Sequence, residues 1–226
     1  MMPAPNDGIL TEEIVLRCSR QYDVDAVRFV VLHGLRLRKL GDGFAKCSAI
    51  VRLDISRNNL TSLSGIEPTA GSLQYLNAAE NLITDVSAVK ECKLLEVVML
   101  EGNRIGSEAA LRPLAQLPEL RQLVLKREVA LEDADETLEL DNPVCEKGGY
   151  EEIIRRYFSS VMFVDGCYML NEATSDVVTS VFKPLPPLDT LKAPQDSNAK
   201  ADVEERLFVN VVAECAEACR KALALR

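Results

Sequence analysis

Three stretches between Ile50 and Ile105 carry one pattern of apolar residues and asparagine, and few folds suit a text of that kind. Ile50-x-x-Leu53-x-Ile55-x-x-Asn58-x-Leu60 is followed by Leu73-x-x-Leu76-x-Ala78-x-x-Asn81-x-Ile83, then by Leu95-x-x-Val98-x-Leu100-x-x-Asn103-x-Ile105. The copies begin about 22–23 residues apart, so each is one small structural unit rather than a whole domain. Apolar residues two apart, such as Leu53 and Ile55, point to one face of a short strand. The asparagine amide both donates and accepts, which suits a turn whose backbone groups would otherwise be buried unpaired. A stack of such units therefore predicts Asn58, Asn81 and Asn103 in a column at the turn edge. Weaker copies flank the three. Val27-x-x-Val30-x-Leu32-x-x-Leu35-x-Leu37 has Leu35 in place of the asparagine, and Leu120-x-x-Leu123-x-Leu125 supplies a fifth start.

This is the leucine-rich repeat pattern. It predicts an α/β fold: a solenoid of about five repeats with a curved parallel sheet, closed by an N-terminal helical cap and a C-terminal cap, and followed by a C-terminal helix. A repeat alone leaves half its core in water, so the ends need covering. Residues 1–26 read as a tail and a capping helix, with Thr11 as N-cap and Glu12 and Glu13 in the first turn, where the dipole favours them. Residues 27–141 hold the repeats. Ser107 to Gln116 reads as a convex helix despite Pro113, with shorter convex segments in the second and third repeats. After Leu125 the asparagine is delayed to Asn142. Residues 128–141 between them carry seven acidic residues and no basic one, and read as an inserted acidic loop that folding can spare.

Residues 142–170 form the expected C-terminal cap, with Tyr150, Ile154, Phe158, Val161 and Val164 marking an amphipathic helix and a final extended turn. Residues 171–199 read as a short helix and a Pro-rich linker. Residues 200–226 read as an amphipathic helix whose apolar face, including Val203, Leu207, Val211, Cys215 and Cys219, seeks either the repeats or a partner's groove. The cap carries a more specific resemblance. Asn142-Pro143-Val144, Tyr150 and the ending at Val164-Asp165-Gly166 resemble the C-terminal cap of the phosphatase-regulator-like repeat class. That class includes axonemal dynein light chain one, the spliceosomal A-prime protein and the acidic nuclear phosphoproteins. The resemblance spans roughly Leu10 to Met169. It departs from the class at Phe158-Ser159, where Leu-Pro is usual, and in the length of the insertion.

Composition narrows the function. Asp and Glu outnumber Lys and Arg by 35 to 26, a net charge of −9 that disfavours direct contact with nucleic acid or an anionic membrane. Seven cysteines at irregular spacing fit reduced thiols, and Met1 to Gly8 lacks the features of a signal peptide. His33 is the one histidine, so neither a catalytic triad nor a multi-histidine metal centre is expected, and no cofactor is. Residues alternating with the buried ones point out of the sheet. Phe29, Val31, Arg52, Asp54, Tyr75, Asn77, Val97, Met99, Val124 and Lys126 are the candidate partner-binding residues, with Asn58, Asn81, Asn103 and Asn142 structural. An apolar and aromatic centre inside a charged rim suits a protein partner. The reading is a non-enzymatic, cytoplasmic adaptor, monomeric before assembly. The resemblance implies a ciliary or cytoskeletal assembly, with a ribonucleoprotein component or a nuclear or phosphatase regulator as alternatives.

Overall fold

Each repeat spends its central apolar residue on a three-residue strand and turns the residues on either side of it outward. The structure is a computed structural model that describes residues 7–130 and 137–169. These lie in the first of two compact units, Met1–Met169 and Leu170–Arg226. The expected linker and helix over residues 171–226, with Cys215 and Cys219, lie outside the described residues.

Strands β1 (Phe29–Val31), β2 (Arg52–Asp54), β3 (Tyr75–Asn77), β4 (Val97–Met99) and β5 (Gln122–Val124) are parallel. Their register is set by one buried column, Val30, Leu53, Leu76, Val98 and Leu123. The fold is a leucine-rich repeat solenoid. Helix α1 (Glu12–Ser19) buries Val15 in the core at the first repeat. Thr11 stands at its N-cap but its side chain makes no capping bond; Glu12 and Glu13 in the first turn carry the charge the helix dipole favours there, and pair with Lys46 and Arg17. Among the convex segments, Glu67–Thr69 and Ser87–Glu91 are short 3₁₀ turns, while α2 (Glu108–Ala115) is a full helix capped by Ser107.

The asparagines form a ladder. Asn58 Nδ2 donates to the carbonyls of Leu32 and Ile55, and its Oδ1 accepts from the Leu37 N–H. Asn81 does the same with Ile55, Ala78 and Leu60, and Asn103 with Ala78, Leu100 and Ile83. Asn142 makes the fourth rung with Leu100, Leu125 and Ile105. All four side chains are buried, and each ties two neighbouring repeats together. Leaving such buried groups unpaired costs about 1–3 kcal/mol per group.

Two features differ from the expectation of a five-stranded sheet with a loop. Asn142 stands 17 positions beyond Leu125, where Asn103 stands three beyond Leu100, so the fifth repeat holds 14 extra residues. Their ends are not a loop. β6 (Glu128–Ala130) and β7 (Thr137–Glu139) pair antiparallel as a hairpin, Glu128 opposite Glu139, Val129 opposite Leu138 and Ala130 opposite Thr137. The Leu140 carbonyl then accepts the Gly102 N–H and restores the spacing of the ladder. The sheet also runs on past β5. After α3 (Tyr150–Tyr157), β8 (Phe163–Val164) adds a sixth parallel strand and β9 (Cys167–Tyr168) folds back antiparallel, giving the order β1-β2-β3-β4-β5-β8-β9. Asp165 and Gly166, both at positive φ, make the two-residue turn between them, the conformation that matches strand twist in a hairpin.

The cap holds the last repeat through Asp165. Its Oδ1 accepts the N–H groups of Leu125 and Lys126, and its Oδ2 takes the Tyr150 hydroxyl at 2.5 Å. Burial, reinforced by that carboxylate, keeps the Tyr150 hydroxyl protonated far above the ordinary tyrosine range. Phe158, at the point where the cap departs from its class, is fully buried. Burial likewise pushes the thiols of Cys92 and Cys145 up to about 11 and raises those of Cys18 and Cys47, so these act as small apolar fillers.

Candidate functional site

The concave face is built from two columns of side chains, set by the strand register. One runs Phe29, Arg52, Tyr75, Val97, Gln122 and Phe163; the next runs Val31, Asp54, Asn77, Met99 and Val124. Because the residues between them are locked in the core, these positions are held on a fixed floor.

The two ends of the floor are its most apolar exposed parts. Phe29 and Val31 on β1 are 61% and 55% exposed. At the opposite end Phe163 and Tyr168, paired across the last hairpin, stack obliquely with ring centres 5.3 Å apart and are 38% and 47% exposed. The sequence reading did not name this second pair. Asp165-Gly166 between alternating residues was the available signal, since that dipeptide marks a tight hairpin.

Between the ends, the side chains bind one another. The Arg52 guanidinium lies over the Tyr75 ring at 4.3 Å, and the Tyr75 hydroxyl donates to the Met99 sulfur at 3.1 Å. In the second column Asn77 Nδ2 donates to Asp54 at 3.3 Å, and Asp54 also accepts from the Ser56 amide and hydroxyl. Tyr75, Asn77, Val97 and Met99 are thereby half-buried, so the centre is a pre-set polar and aromatic surface and not a freely exposed apolar band. Val124 differs from the expectation of an exposed side chain: it stands in the outward column beside Met99 but is only 7% exposed, so it offers a partner little surface. Lys126 sits at the far rim, 5.4 Å from the Tyr150 ring, and His33 is exposed at the first repeat.

Two residues beyond Met99, Glu101 is the electrostatic oddity of this face. The sequence pattern places it outward, yet its side chain is 1% exposed and neither carboxylate oxygen has a hydrogen-bond partner. Among the described residues its one ion-pair partner is Arg127, at 3.5 Å. Beside it, Arg57 and Glu80 pair at 3.0 Å nearer the surface. Among the described residues no cluster of three potential metal ligands occurs, and no helix is long and apolar enough to cross a membrane.

No protein-family model matches the chain. Over 60% of its length it is 33% identical to leucine-rich repeat-containing protein 56 homolog of Trypanosoma brucei brucei, covering 18% of that protein. It is 30% identical over 50% of its length to geranylgeranyl transferase type-2 subunit alpha of Sus scrofa, covering 17% of that protein. The chain thus spans less than a fifth of the curated relatives it matches. A chain in the crystal structure of the Drosophila melanogaster SNF/U2A' complex superposes with a TM-score of 0.58 at 19% identity, over 87% of this chain and 98% of that one. That likeness is one of fold.

Proposed function

We propose that this leucine-rich repeat protein is a non-enzymatic adaptor whose concave sheet face receives a segment of a protein partner. The observation that carries the reading is the pair Phe29 and Val31, large apolar side chains held in the open on a strand whose middle residue is locked in the core. Presenting them costs little further ordering on association, because the floor is already rigid. Arg52 on Tyr75, and Phe163 on Tyr168, add aromatic and guanidinium surface of the kind that dominates interface energetics. The chain is a monomer before assembly and binds no nucleic acid directly in this reading. The geranylgeranyl transferase matches cover too little of that protein to lend its activity to this chain.

The placement of the adaptor in a cytoplasmic ciliary or cytoskeletal assembly rests on the class resemblance. So does the closer resemblance of Leu73-Gln74, Leu76-Asn77-Ala78-Ala79, Asn142-Pro143-x-Cys145 and Val164-Asp165-Gly166 to leucine-rich repeat-containing protein 61. The fold likeness to a chain of the SNF/U2A' complex favours a second reading, a ribonucleoprotein component that holds an RNA-binding protein. An axonemal or a nuclear distribution of the tagged protein separates the two. The concave face itself is tested by affinity capture with mass spectrometry, comparing Phe29→Ser plus Val31→Ser with Arg112→Ala on the convex helix. The strand variant is expected to lose partners that the parent and the helix variant both retain, at an unchanged melting temperature. Identical partner sets from all three proteins would sink the reading.

A further inference from the structure

The first-repeat end of the floor is a basic region of an acidic protein. Residues 26–41 hold four basic residues, Arg28, Arg36, Arg38 and Lys39, with His33 and no acidic residue, in a chain of net charge −9. The stretch contains β1, so these charges gather around Phe29 and Val31. Arg28 stands at the entry to the strand, where its carbonyl accepts the N–H groups of Val51 and Arg52. Beyond Val31 the pairing continues, the Leu32 N–H donating to the Asp54 carbonyl and the Gly34 N–H to that of Ser56. Alternation therefore carries His33 onto the outward face of Phe29 and Val31, with Leu32 buried between. Arg52 is the register partner of Phe29, one strand or about 4.8 Å away. The Tyr75 ring holds its guanidinium in place without neutralising it. Arg28, His33, Arg36 and Arg52 are all exposed, and among the described residues none of them enters an ion pair. By contrast Arg17, Arg57, Arg121, Arg127, Arg155 and Arg156 each meet a carboxylate. Asp54 lies opposite Val31, yet it already accepts from the Ser56 amide and hydroxyl and from Asn77.

We propose that the protein segment received by the concave face is acidic. An apolar side chain of that segment packs on Phe29 and Val31, and aspartate or glutamate residues flanking it pair with Arg28 and Arg52 beside Phe29 and with Arg36 beyond Val31. The inference rests on the concave-face reading and adds the chemistry of its partner. A guanidinium takes a carboxylate through two parallel N–H···O bonds, so unpaired arginines around an apolar pair select for this arrangement. A carboxylate segment needs only these local cations, whereas a nucleic-acid backbone needs a longer track of them on a protein that is acidic overall.

The test is fluorescence anisotropy of two labelled peptides titrated with the full chain, one of leucine and glutamate and one with glutamine at each glutamate position. The parent is expected to bind the glutamate peptide about tenfold more tightly at low salt, a preference that shrinks as salt is added. Arg28→Gln plus Arg36→Gln is expected to abolish the preference at an unchanged melting temperature. Lys90→Gln plus Arg112→Gln, the same loss of charge on the convex side, is expected to keep it within about twofold. Phe29→Ser plus Val31→Ser is expected to lose both peptides. Equal affinity of the parent for the two peptides, or an equal loss of preference in the convex control, overturns the proposal. The concave-face reading survives that result if the strand variant still loses both peptides. Retention of both peptides by the strand variant overturns the proposal together with the reading it rests on. An oligouridine RNA bound by the parent and lost by the arginine variant, with neither peptide bound, overturns it in favour of a nucleic acid.

Discussion

Glu101 shows how a position that one register makes a surface residue becomes an interior one when a neighbouring insertion covers it. Burial raises its carboxyl above the ordinary 4.5, Glu80 and Asp165 add to that, and Arg127 opposes it. The folded state thus holds the proton more tightly than the unfolded one. Its contribution to stability is complete below the ordinary value and is lost as pH rises through the folded value. Glu101→Gln, fixed in the neutral form, is expected to melt a few degrees above the parent at neutral pH, with the gap closing below the ordinary value. Melting curves across that range check it. A variant less stable at neutral pH would show instead that the Arg127 pair outweighs the desolvation of the carboxylate. The sequence pattern places Glu101 outward but cannot show the cover, because the cover comes from residues some 26 positions on, where Arg127 stands. The ladder asparagines were legible for the opposite reason: each is fixed by apolar neighbours within its own repeat. Asn142, far from Leu125 in the chain, was still recognisable through the Asn-Pro that opens the cap.

At the scale of elements, the insertion and the final hairpin are the parts the repeat pattern left hidden. Seven acidic residues make residues 128–141 look like solvated loop, yet Val129 and Leu131, then Leu138 and Leu140, alternate as strand residues do. The charge masked the period. Similarly, Phe163 to Tyr168 reads as a turn until Asp165-Gly166 is taken as the centre of a hairpin, which adds Phe163 and Tyr168 to the concave face. The hairpin geometry also defines where the insertion is cleanly removed. Excising residues 127–140 joins Lys126 to Asp141 and restores the leucine-to-asparagine spacing of the other repeats. The shortened chain is expected to melt within a few degrees of the parent, since closing a short turn in place of a long one changes loop entropy little and Glu101 regains water. Thermal unfolding followed by circular dichroism decides it. A large loss of stability would mean that Leu140 and Arg127 contribute more as cover than the buried carboxylate costs.

Over the whole described body, cohesion passes from repeat to repeat, because each strand pairs with its immediate neighbours and each asparagine bridges two repeats. A defect at one end should therefore be felt most nearby. Asp165→Ala removes the acceptor for the Leu125 and Lys126 amides and the Tyr150 hydroxyl. Hydrogen exchange is expected to speed up at β5, β8 and α3 by at least tenfold while β1 to β3 keep their protection. A uniform loss of protection along all strands would indicate a single cooperative unit instead. The same end of the molecule has another consequence. A sheet of parallel strands is a template that offers every newcomer the berth its predecessor took, so an unfinished solenoid invites the first strand of a second molecule onto its last. Here the last described strand runs the other way, and an antiparallel edge spaces its donors and acceptors differently from a parallel one. Head-to-tail threading of copies into a fibre would have to break register at that join. The reversal at Asp165-Gly166 is a full stop written into the polymer grammar of the fold.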